Sequence, residues 1–176
     1  AEAWVATAER RAKYAAPTGL GQAFNFDLLE ADFNAAQFRP LIADNLTEAA
    51  ATGSSTTWVL SNHDVVRHAT RYALPAHAGN ASHDSDERIG GAWLLAGGDL
   101  AQLDTDRGLR RAQAATLLLL ALPGSTYLYQ GEELGLHEVG QIPDEARQDP
   151  SFFRNPGVEI GRDGCRVPLP WSAAGV

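Results

Sequence analysis

The stretch "TTWVLSNHD" carries β-branched and apolar residues straight into Asn62, His63 and Asp64, groups that donate, accept and carry charge. The same arrangement, polar chemistry at the exit of an apolar segment, recurs at Glu2 in "AEAWV", at Asn25 and Asp27 in "FNFD", and from Tyr129 through Glu133 in "YQGEE". Carboxylates gathered in one cleft suit cleavage of a glycosidic bond. One acid of raised pKa protonates the leaving oxygen, and carboxylates beside the sugar ring stabilise an oxocarbenium-like transition state. The pattern leaves a plainer reading open: Asp64 caps the following turn, Asn62 and His63 satisfy backbone groups, and Glu2 is an exposed terminal charge.

The elements that must position these groups follow from hydrophobic period and punctuation. "AEAWV" reads as the last residues of a strand, and "TAERRAKYAAP" as a helix stopped by Pro17 and Gly19. "GQAFNFDLL", residues 21–29, alternates as a short strand with Asp27 at its exit. Residues 33–51 place Phe33, Phe38, Leu41, Ile42 and Leu46 on one helical face, with Pro40 as an interior irregularity. "TTWVLSN" is a continuous apolar run of the kind that fills a strand covered on both faces. Residues 65–106 show no sustained period. Residues 106–122 then give the strongest helix, with Asp106 as its cap and Pro123 and Gly124 as its stop. "STYLYQG" follows as a strand, ahead of an irregular tail rich in Pro, Gly and Arg. Strand and helix alternating in this way imply an α/β fold with a parallel sheet, whose ligands bind beyond the carboxyl ends of the strands.

Composition narrows the function classes. The 176 residues are 44% hydrophobic, and no apolar run approaches the roughly 20 residues of a membrane span. Net charge is −8 and Lys13 is the only lysine, so nothing resembles a basic stripe for nucleic acid. Cys165 is the only cysteine, which excludes an internal disulfide and agrees with a reducing, cytoplasmic setting. None of His63, His68, His77, His83 and His137 falls in a metal-ligand spacing, and "HDSDE" at 83–87 lacks the Gly and closing Glu of a calcium loop. Neither metal nor other cofactor is expected.

Several motifs in order carry more than the pattern does. "AEAWV", "SNHD" and "LALPGSTYLYQGEELGL" together resemble the α-amylase superfamily, glycoside hydrolase family 13. The closing "IPDEARQDPSFFRNPGVEIGRDGCRVPLPW" is most similar to its α-glucosidase and oligo-1,6-glucosidase branch. The resemblance implies a (β/α)8 barrel with its site on the carboxyl face, of which this chain holds the end of strand 5 through strand 8 and the following loop. It makes Glu2 the counterpart of the general acid/base and Asp64 that of the carboxylate stabilising the distorted sugar. His63 matches a sugar-binding histidine, and Asn62 lies beside it. Arg162, and less closely Arg166, match an arginine holding the non-reducing glucose. The implied substrate is an α-linked gluco-oligosaccharide of the maltose or isomaltose type. A trehalose synthase-like transferase or isomerase stands as the alternative within the family, and a non-catalytic barrel relative outside it. On this resemblance Glu2 and Asp64 share one sugar-sized hollow.

One motif is absent. No segment matches G-[FY]-R-x-D, which bears the family's nucleophilic aspartate on the fourth strand. The expectation is therefore that these residues are the carboxyl-terminal half of the catalytic barrel. Their partner is the amino-terminal half of the same barrel, and alone they are inactive and prone to self-association through unpaired strand edges.

Overall fold

The computed structural model describes residues 1–3, 5, 7–75 and 90–172. The acidic turn at 83–87, His77 and His83, and Trp4 lie outside the described residues. The chain divides into two compact units: residues 1–60 and 114–128 belong to the first, and residues 61–75, 90–113 and 129–172 to the second.

In the first unit, Thr7 opens α1 (Ala8–Ala15) by accepting the Arg10 N–H. The helix ends at Ala16, which is extended as the residue before a proline must be. A short helix α2 (Asp27–Glu30) buries Leu28 and Leu29. Asn34 caps α3 (Ala35–Thr52) through the Ala36 N–H, and Gly53, at φ 66°, closes it by donating to the Ala49 carbonyl. Pro40 sits inside α3 as expected, and Phe38 and Asn45 are its buried residues. Helices α1 and α2 pack on α3, and α2 also lies against β1 (Thr57–Val59). All three β1 residues are buried, and the strand runs parallel to β2 (Ser125–Tyr127) with Thr57 opposite Ser125, Trp58 opposite Thr126 and Val59 opposite Tyr127. The fully buried Trp58 donates its indole N–H to the Pro123 carbonyl at 2.8 Å. Gly124, at φ 119°, brings the chain against Thr56 so closely that a β-carbon there would collide with the Thr56 hydroxyl and carbonyl.

Four strands were expected, and the described residues form two. At 21–29 the described backbone makes only a fragment of a ladder: the Ala1 nitrogen donates to the Gln22 carbonyl and the Phe24 N–H to the Ala1 carbonyl, the alternation of a parallel pair, and the Thr57 hydroxyl donates to the Ala23 carbonyl. Asn25 accepts the Asp27 N–H at 2.9 Å and turns the backbone, so Asp27 starts α2 and does not leave a strand.

In the second unit, the loop after β1 leads into α4 (His68–Arg71), and α5 (Gly91–Leu95) and a 3₁₀ turn at Leu100–Gln102 follow. Helix α6 (Thr105–Ala121) starts here. Its cap is Asp104, whose carboxylate accepts the Arg107 N–H at 2.9 Å, and Asp106, the expected cap, lies in its first turn. Arg107 and Arg111 donate to the Ala73 and Tyr72 carbonyls just beyond α4, where orphan acceptors need partners. The tail contains α7 (Pro150–Arg154) between 3₁₀ turns at Asp144–Ala146 and Asp163–Cys165. Among the described residues no helix is long and apolar enough to cross a membrane.

Candidate active site

Asp64 is the centre of charge in the second unit. Its N–H is accepted by Asn62 Oδ1 at 2.8 Å, an Asx turn that projects the carboxylate from the loop following β1. Arg162 Nη1 reaches Asp64 Oδ1 at 2.8 Å and Arg166 Nη2 reaches the same oxygen at 3.0 Å. His63 Nε2 stands 3.5 Å from Oδ2. Arg166 also donates Nε to the His63 carbonyl at 2.7 Å, so the tail arginine holds the loop backbone as well as the carboxylate. Four of the expected residues, His63, Asp64, Arg162 and Arg166, therefore meet in one partly exposed cluster. Asn62 is buried, and its amide oxygen serves the turn, which is the plainer of its two expected roles. Glu2 belongs to the first unit, where it is exposed.

Beneath this loop lies a buried polar layer that sequence reasoning did not foresee. Ser61 Oγ accepts the His68 N–H at 3.0 Å and lies 2.9 Å from His68 Nδ1. The hydroxyl, with one donor and two lone pairs, can serve both groups at once. Burial, reinforced by Arg71, drives His68 down to about 3 and so keeps it neutral. Glu132 Oε1 sits 3.5 Å from His68 Nδ1, and burial pushes its carboxyl up to about 7. Arg67 is almost wholly buried and ties three loops together: its guanidinium donates to the Gln130 and Cys165 carbonyls, and its N–H to Glu138 Oε2. Burial raises Glu138 to about 7 as well. The Glu132 side chain is thus buried beside His68 rather than set out in a solvated loop. Cys165 is buried, and burial pushes its thiol up to about 12, far from a reactive thiolate.

The arrangement has a chemical consequence. A carboxylate clasped on one oxygen by two guanidinium groups is fixed in place, where it can face a developing positive charge or accept sugar hydroxyls. The arginines retain further N–H groups suited to sugar oxygens in fixed geometry.

Comparison with known proteins bears on what such a cluster serves. A model of the alpha amylase catalytic domain matches residues 81–175. The chain belongs to the alpha-amylase catalytic-domain family. Within that family it is 36% identical over 116 residues to a probable alpha-glucosidase of Rhizobium meliloti (strain 1021), covering 66% of this chain and 16% of that protein. It is 36% identical over 70 residues to a trehalose synthase/amylase TreS of Mycobacterium tuberculosis, covering 40% of this chain and 8% of that protein. The crystal structure of the alpha-glucosyl transfer enzyme XgtA superposes with a TM-score of 0.64 at 31% identity, covering 97% of this chain and 26% of that one. The chain thus spans a small part of the length of the relatives it matches. An α/β fold with a parallel strand pair agrees with alpha-amylase-family barrel enzymes as its structural neighbours.

Proposed function

We propose that these residues are the carboxyl-terminal part of the (β/α)8 catalytic barrel of a retaining, exo-acting α-glucosidase, from the end of strand 5 through strand 8 and the loop beyond. Glu2 protonates the leaving oxygen and then deprotonates the attacking water. Asp64 stabilises the distorted sugar, while His63, Arg162 and Arg166 hold the hydroxyls of the terminal glucose. The nucleophilic aspartate comes from sequence outside these 176 residues, because no G-[FY]-R-x-D motif occurs among them. Asp64 binds the ring most strongly near the transition state, which is where binding energy accelerates the reaction.

The observation that carries this reading is the pair of tail arginines on Asp64 Oδ1, which joins the "NHD" loop to the "GRDGCR" loop. That the chain keeps both carboxylates, Glu2 and Asp64, opposes a non-catalytic role. The experiment is product analysis with the full-length protein on maltose and isomaltose, following the anomer by NMR. Glucose released first in the α configuration supports the reading. No turnover, or initial β-glucose, contradicts it.

A second reading has its own support in the likeness to the alpha-glucosyl transfer enzyme XgtA and to the trehalose synthase/amylase TreS. Glucosyl transfer to a second sugar in place of water distinguishes it, and the same assay reads it as trehalose or a lengthened oligosaccharide formed from maltose.

A further inference from the structure

Asp149 is a carboxylate with its side chain fully buried. Such a group is stable only with its oxygens paired. Asp149 Oδ1 accepts the Ser151 N–H at 3.1 Å, which caps α7. The other bonds all go to one residue: Oδ2 accepts Arg162 N–H at 2.8 Å and Arg162 Nε at 2.6 Å, and Oδ1 accepts Arg162 Nη2 at 3.1 Å. The contact is reciprocal, since the Asp163 carboxylate accepts the Asp149 and Gln148 N–H groups at 3.1 and 3.2 Å. Gly161, at φ 83°, makes the approach feasible, because a β-carbon there would stand 3.0 Å from Asp149 Cβ.

Capping α7 does not account for this residue. Asn, Ser or Thr would accept the Ser151 N–H equally well. A charge and two oxygens spent on the Nε–Nη2 edge of one guanidinium have a different effect: they fix its plane and leave Nη1 as the edge that points to Asp64. Those hydrogen bonds to Arg162 also hold the Asp149 carboxyl well below the usual carboxylate range, so the grip is ionic at any working pH.

We propose that Asp149 is a positioning residue for sugar recognition, locking Arg162 so that its Nη1 edge already faces Asp64 and the incoming glucose before substrate arrives. The proposal rests on the α-glucosidase reading above. Preorganisation of this kind removes an ordering cost from binding.

The test uses the full-length protein and an aryl α-glucoside, with kcat/KM and thermal midpoint measured for the wild type, Asp149→Asn, Arg162→Gln and the double variant. Asp149→Asn keeps the cap and the shape but loses the charge, and kcat/KM is expected to fall about 10- to 100-fold. In the Arg162→Gln background the same change is expected to cost less than about threefold, because its effect runs through Arg162. Where Asp149→Asn does not fold, the double variant, which leaves neither charge unpaired, is compared with Arg162→Gln alone. Equal kcat/KM supports the proposal, and a further tenfold loss overturns it. Asp149→Asn within threefold of an active wild type also overturns it while leaving the α-glucosidase reading intact. A wild type without α-glucoside turnover takes down both.

Discussion

Arg162 Nη1 donates to Asp64 Oδ1 at 2.8 Å, so a residue near the end of the chain holds the carboxylate that leaves the loop after β1. Arg166 lies on the same oxygen at 3.0 Å but is itself more exposed, and its charge is better screened. In the full-length protein, Arg162→Ala is expected to lower kcat/KM on maltose by roughly 100-fold or more, the loss of a charge-assisted hydrogen bond in a partly desolvated site. Arg166→Ala should cost about tenfold. Steady-state kinetics of both variants check the order, and a larger effect at Arg166 would reverse the assignment of the principal sugar-holding arginine.

Stability should carry the signature of the buried acids. Glu132 and Glu138 are raised by burial from 4.5 to about 7, so each folds neutral and must ionise against that burial as the pH climbs. Their contribution is complete below 4.5 and lost as the pH rises through 7. His68 works the other way: buried neutral, it contributes above 6.5, and that contribution is lost as the pH falls toward 3. Glu132→Gln removes one ionisation and little shape. Its thermal midpoint relative to wild type should therefore be more favourable at pH 8 than at pH 5, by roughly 2–4 °C for each kcal/mol of penalty relieved. An unchanged difference between the two pH values would contradict the buried state of Glu132.

The turn into β2 offers a backbone test. Gly124→Ala places a methyl group against the Thr56 hydroxyl and carbonyl at φ 119°, a conformation alanine rarely adopts. Two penalties combine there, and a loss of about 2–4 kcal/mol is expected. Gly53→Ala is the control: Gly53 ends α3 at φ 66° with open space around it, so only the conformational cost of about 1 kcal/mol applies. Denaturant melts of the two variants should rank accordingly.

Local signals were legible where one kind of interaction governs. Helix α6 was readable because Pro123 and Gly124 stop it and a long helix tolerates noise in its period. Strand β1 was readable because a strand buried on both faces reads as a run of apolar and β-branched residues. The cap of α6 was misplaced by two residues, since Asp104 and Asp106 are chemically equivalent and only backbone geometry separates them. The strand expected over 21–29 stops short because Asn25 accepts the Asp27 N–H and turns the chain into α2, a local bond that the alternation of apolar and polar residues does not record.

Around the candidate site, His63, Asp64, Arg162 and Arg166 were found through motifs, and the structure brings them together. Asp149 was missed because it is thirteen positions from the guanidinium it grips, and nothing in "RQDPSFF" announces a fold-back at Gly161. Glu132 was legible as a charge but not as a buried one, because its burial depends on the layer that His68 and Ser61 build.

The central claim is that Glu2 acts as the acid/base of a retaining α-glucosidase, and chemical rescue tests it most directly. Full-length Glu2→Ala would be assayed with an activated aryl α-glucoside, whose leaving group needs no protonation, with and without azide. The account predicts slow turnover that azide accelerates, with α-glucosyl azide as the product, because azide takes the face water would have used under Glu2. Maltose hydrolysis by Glu2→Ala within tenfold of wild type, or no response to azide, would contradict it.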